Sequence, residues 1–129
     1  VVVACGGGGI PVYATQGHHL KGAPAVIDKD FASCVLAQQV QADTLIILTA
    51  VEKVAINFGK PDQKWLDTLT PEEAEVYMGQ GHFAPGSMLP KVQAAVEFAR
   101  SAPGRSALIT LLEKAKDGVA GKTGTVIRQ

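Results

Sequence analysis

Asp43-Thr44-Leu45-Ile46-Ile47-Leu48-Thr49 places an unbroken aliphatic run between polar ends. Such a run, too short for most helices and lacking the alternation of a half-wet strand, reads as a strand buried on both faces of a parallel sheet between helix layers. Before it, Phe31 to Val40 is apolar-patterned as a helix, with Asp30 as the expected N-cap. After it, Ser106-Ala107-Leu108-Ile109-Thr110 repeats the strand signal, and Val126-Ile127 gives another. Strand, helix and strand in this order predict an α/β three-layer sandwich with a mainly parallel sheet. Ligands in such sheets bind beyond the carboxyl ends of the strands, so Thr49-Ala50 marks where a site is expected.

At 129 residues the chain is about one domain, and 47% hydrophobic content is enough for a core. Lys and Arg number 12 and so do Asp and Glu, so no global field draws the protein to nucleic acid or an anionic membrane. An anionic ligand must be met by a local cluster. No apolar run is long enough to span a bilayer. Cys5 and Cys34 form no metal-ligand spacing and are expected as free thiols in a reducing compartment. Val1-Val2-Val3-Ala4 starts directly as a buried-strand pattern and reads as a cut end.

Four local features bear on chemistry. Cys5-Gly6-Gly7-Gly8-Gly9 is a loop without side-chain walls, able to turn N–H groups toward an anion. Ala25-Val26-Ile27-Asp28-Lys29-Asp30 puts two carboxylates around one ammonium between an apolar strand and a helix. Thr70-Pro71-Glu72-Glu73 opens a helix with an N-cap, a proline in the first turn and a returning glutamate. Finally, Gly86-Ser87-Met88-Leu89-Pro90-Lys91 leads into a helix from Met88 to Arg100, with Ser87 able to cap it. Lys91 in that first turn opposes the helix dipole, a placement useful where an anion sits at the helix N-terminus.

The rest reads more plainly. Thr15 to His19 is a hairpin tip, and its adjacent histidines lack further ligands at metal spacing. Val54 to Phe58 reads as a short edge strand before a Gly59 to Asp62 turn, with Trp65 and Leu66 packing a loop. His82 is a weak candidate general base, since an anion held at a helix N-terminus calls for charge neutralisation more than proton removal. Gly121-Lys122-Thr123 imitates a P-loop, but residue 116 is Lys116 where the motif needs glycine.

Taken together, Gly6 to Val12, Ala25 to Asp30, Asn57 to Pro61, Gly81 to Lys91 and Gly121 to Val126 resemble, in order, the C-terminal half of carbamate kinase, in the amino-acid kinase superfamily. The resemblance implies a nucleotide-binding half of an enzyme that moves a phosphoryl group between carbamoyl phosphate and ADP, with ATP/ADP as substrate and Mg2+ offsetting phosphate charge. It implies that Lys91 meets the γ-phosphate, Asp30 orients the phosphate-binding lysines and Lys29 adds charge. Asp28, Thr49, Val54, Phe58 and Met88 fall on the nucleotide side, and Gly7, Gly8 and Gly9 on a phosphate or substrate loop. It also implies a cytoplasmic homodimer of arginine fermentation, completed by an N-terminal half not present in these residues. Ala50 departs from the Asp or Gly expected at its place in such relatives. A non-catalytic nucleotide-binding module, or an amino-acid kinase with another acyl acceptor, remains open at this point.

Overall fold

The computed structural model describes residues 9–129. Strands β1 (Val12–Ala14) and β2 (Leu20–Gly22) form an antiparallel hairpin with its tip at Thr15 to His19. Helix α1 (Lys29–Gln39) leads to β3 (Thr44–Thr49), followed by β4 (Val54–Ile56), β5 (Lys64–Leu66) and β6 (Thr68–Leu69). Helices α2 (Pro71–Gly79) and α3 (Met88–Arg100) precede β7 (Ser106–Leu111), a 3-10 turn at Leu112–Lys114, α4 (Ala115–Val119) and β8 (Thr125–Arg128). The main sheet has the order β3-β7-β8-β6, with β3 parallel to β7, β6 parallel to β8, and β7 antiparallel to β8. Helices α1 and α3 cover one face and α4 packs on the other. The α/β sandwich expected from the sequence is the fold observed.

Burial separates two strands that look alike in sequence. In β3, Leu45 and Ile47 are buried against the helices, but Ile46 and Leu48 are 41% and 40% exposed. Among the described residues β3 is thus buried on one face rather than on the two expected. The strand buried on both faces is β7, where Ala107, Leu108, Ile109 and Thr110 are all at or below 5% exposure. The reason is position: β7 has hydrogen-bonded neighbours on both edges and α4 over its second face, whereas β3 pairs only with β7 among the described residues.

Local chemistry sets the helix ends. Asp28, not Asp30, is the N-cap of α1: its Oδ1 accepts from the N–H groups of Asp30 (2.9 Å) and Phe31 (3.1 Å). Asp30 instead lies inside the first turn. Helix α2 carries the full capping box, with Thr70 Oγ1 accepting from Glu73 N–H at 3.2 Å and Glu73 Oε2 accepting from Thr70 N–H at 2.9 Å. Thr70→Ala should lower stability by about 1 kcal/mol, read as a lower urea midpoint with an unchanged m-value.

One segment differs from its sequence reading. Trp65 and Leu66 lie in β5, antiparallel to β4, rather than in a loop. Thr125 joins this hairpin to the core: its buried hydroxyl accepts from Val54 N–H at 2.8 Å and donates to the Leu66 carbonyl at 2.5 Å. Cys34 is a free, fully buried thiol, and burial pushes it above its ordinary range. Cys5 lies outside the described residues.

Candidate functional site

Beyond the carboxyl end of β3 the chain opens a cleft of about 360 Å³, lined by Thr49, Ala50, Val51, Lys53, Ala55, Phe58, Gly81, His82, Ala84, Ser87 and Met88. The cleft joins three pieces that are distant in sequence. The loop after β3 forms one side, the β4 to β5 turn carries Phe58, and the segment entering α3 brings Ser87 and Met88. A larger but more open groove, bordered by Gln38, Met78 and Arg100, lies on the helix side, away from the strand ends. The position at the mouth of the sheet favours the former as a ligand site.

The α3 entry follows from its sequence. Ser87 stands at the N-cap position with φ −145° and ψ −84°, but its side chain makes no capping hydrogen bond, contrary to the sequence reading. The turn is closed by backbone instead: Ser87 and Leu89 N–H both donate to the Ala84 carbonyl, at 3.1 and 3.0 Å. The Ser87 hydroxyl is thus not spent on the helix, and Ser87 borders the cleft. One turn further, Lys91 lies three residues after Met88, on an adjoining face of the helix.

Lys91 meets Asp30 across the two helix starts. Its Nζ donates to both carboxylate oxygens, at 3.2 Å to Oδ1 and 3.0 Å to Oδ2, with side-chain exposures of 21% and 17% for Lys91 and Asp30. A pair this sheltered is screened less than a surface ion pair and is held in one geometry. Asp28 acts nearby through its cap, which fixes where α1 starts and hence where Asp30 points. Lys29 Nζ donates to the Ile27 carbonyl.

The other residues singled out in the sequence divide cleanly. Thr49, Phe58 and Met88 line the cleft. Val54 does not: its side chain is fully buried in the core, and the neighbouring Ala55 reaches the cleft instead. Gly9 is exposed, with open space where a Cβ would stand, while Gly7 and Gly8 lie outside the described residues. Two cleft residues had no strong signal in the sequence. Lys53 is held by Asp67, and that hydrogen bond pushes its pKa above the usual lysine range. His82, only a weak general-base candidate in the sequence, also lines the cleft.

Residues 1–110 match the model of the amino acid kinase family. The chain belongs to that family. The chain is 65% identical over 129 residues to the carbamate kinase-like protein YqeA of Escherichia coli (strain K12), covering 100% of the chain and 41% of that protein. It is 58% identical over 113 residues to carbamate kinase 1 of Enterococcus faecium, covering 88% of the chain and 36% of that protein. The structure of carbamate kinase from Giardia lamblia bound to AMP-PNP matches it with a TM-score of 0.88 at 43% identity, over 95% of this chain and 42% of that one. The fold is therefore that of the carbamate kinases, and the chain spans about two fifths of the length of these relatives. No helix among the described residues is long and apolar enough to cross a membrane.

Proposed function

We propose that this chain is the C-terminal, nucleotide-binding half of a carbamate kinase, which transfers a phosphoryl group reversibly between carbamoyl phosphate and ADP to give ATP and carbamate. The observation that carries the reading is the sheltered Asp30–Lys91 pair, set where two helix N-termini meet beside a cleft at the strand ends. Phosphoryl transfer passes through a loose transition state with charge spread over the transferred oxygens, and it is served by fixed positive groups more than by covalent chemistry. Lys91 supplies such a charge. Asp30 keeps the ammonium in place before the nucleotide arrives, so little reorganisation is left for the reaction step. Lys29 adds a second positive charge once nucleotide competes for it. The cleft walls of Thr49, Phe58 and Met88 suit the adenosine end, and Gly7, Gly8 and Gly9 would give backbone N–H groups to phosphate or substrate.

Among the described residues no three His, Cys, Asp or Glu side chains converge as a metal site. That donor set fits Mg2+ carried on the nucleotide phosphates, with a single carboxylate such as Asp30 close by, because Mg2+ commonly keeps waters and phosphate oxygens as most of its ligands. When bound, it would offset the charge of the phosphate oxygens. The acceptor site, the homodimer contact, the cytoplasmic location and the place in arginine fermentation belong to this reading of the whole enzyme. The uncovered Ile46 and Leu48, and the side of β3 left unpaired among the described residues, are where the N-terminal half would join.

The test is complementation. The chain is assayed for ATP formation from carbamoyl phosphate and ADP, alone and mixed with the remaining part of a carbamate kinase. Activity restored only on mixing supports the proposal. Nucleotide binding with no turnover in either case would instead favour a non-catalytic nucleotide module.

A further inference from the structure

His82 is held more firmly than a cleft-wall residue needs to be. Its Nδ1 accepts the Asn57 N–H at 3.3 Å, which leaves the proton on Nε2, and that nitrogen donates to Gln80 Oε1 at 3.1 Å. Tyr77 packs against the ring in an edge-to-face contact, with centroids 5.6 Å apart and planes at 80°. Three contacts from three directions thus determine both tautomer and orientation.

What the ring holds is a turn with a backbone conformation that side chains seldom adopt. Asn57 has φ +52°, in the left-handed region, where its own side chain helps by donating to Asp62 Oδ2 at 2.7 Å. Lys60 N–H closes the turn on the Asn57 carbonyl at 3.0 Å, and Gly59 N–H donates to Gln63 Oε1 at 2.7 Å. The Asn57 N–H points out of this local network, and His82, 25 residues away in the chain, receives it. Phe58 follows directly. It is 61% exposed, borders the cleft, and its ring meets Trp65 edge-to-face at 6.0 Å. Phe58 thus combines a contact to Trp65 with a place in the cleft lining, and it is carried by the backbone next to it.

We infer that His82 is a positioning residue for the nucleoside end of the cleft: by accepting the Asn57 N–H it fixes the turn that sets Phe58 as an aromatic wall. The inference rests on the nucleotide reading of the cleft and adds to it a division of labour. Asp30 and Lys91 act on the phosphates, whereas His82 acts through Asn57 on the base and sugar. An aromatic face preset in this way avoids the ordering cost of a mobile turn at binding.

The test uses a full-length carbamate kinase carrying these residues, with the emission of Trp65 assigned by difference from its Trp65→Phe form. His82→Leu keeps bulk but offers no acceptor, while His82→Asn places an oxygen near the position of Nδ1. The leucine variant should raise the nucleotide KM roughly tenfold, the scale of one lost hydrogen bond, with kcat changed less than about twofold. It should also shift Trp65 emission in the ligand-free protein. The asparagine variant should recover most of both effects, which a simple packing role would not produce. Equal defects in the leucine and asparagine variants overturn the proposal, as does a fall in kcat at constant KM. An emission change that follows the acceptor while KM stays constant also overturns it, because the turn would then be held without serving the nucleoside. Failure of the nucleotide reading itself would show separately, as nucleotide that does not bind although the Trp65 signal still follows His82.

Discussion

Replacing Lys91 by alanine in the full-length enzyme is expected to lower kcat by roughly 100- to 1,000-fold, the usual cost of losing one preorganised group at a developing negative charge. The nucleotide KM should change far less, because the cleft walls proposed for the adenosine end do not include Lys91. Lys91 sits in the first turn of α3, where its charge opposes the helix dipole, and Asp30 offsets that cost at 3.0 Å. Removing the lysine also leaves Asp30 as a half-sheltered carboxylate without its partner, which disfavours an incoming polyphosphate further. Asp30→Asn should fall between wild type and Lys91→Ala, since the ammonium remains but loses its fixed place. Steady-state kinetics with varied ADP and carbamoyl phosphate distinguish these cases. Unchanged turnover in Lys91→Ala would remove this residue from the mechanism.

Gly124→Ala should cost about 2–5 kcal/mol of stability, combining a left-handed backbone with an overfilled site. Gly124 has φ +94°, and a Cβ there would stand 2.6 Å from Leu108 Cδ1 and 3.0 Å from the Ile109 carbonyl oxygen. Neither neighbour can withdraw easily, because β7 is an inner strand and the Leu108 side chain packs under α4. Gly121 is the control. It has φ +72° but nothing within 4 Å of the added carbon, so Gly121→Ala should show only the backbone part, about 1–2 kcal/mol. Urea denaturation of both variants gives the difference, and equal midpoints would show that the close approach of β7 to residue 124 is not tightly packed. A large loss at Gly124 would also reach the cleft, since the adjoining Thr125 ties β4 and β5 to the sheet.

The two helix entries show how far local sequence reaches. Thr70, Pro71 and Glu73 were legible because a capping box is satisfied within four residues, without help from the rest of the chain. Asp28 and Asp30 were not separable in that way. Either can cap α1, and it is Lys91, 61 residues along the chain, that draws Asp30 into an ion pair and leaves the cap to Asp28. Ser87 shows the opposite failure: its local sequence suits a cap, but Ala84 closes the turn through backbone and leaves the hydroxyl by the cleft.

Sequence alone determined the α/β class and the places of α1, α2, α3, β3, β7 and β8, because apolar periodicity, proline and glycine punctuation and capping act over a few residues. Which face of β3 stays uncovered, why Val54 belongs to the core while Ala55 reaches the cleft, and how His82 comes to hold Asn57 were decided by tertiary structure. Those outcomes depend on which distant segment lies alongside, and burial and hydrogen-bond partners are properties of that neighbourhood rather than of the residue that carries them.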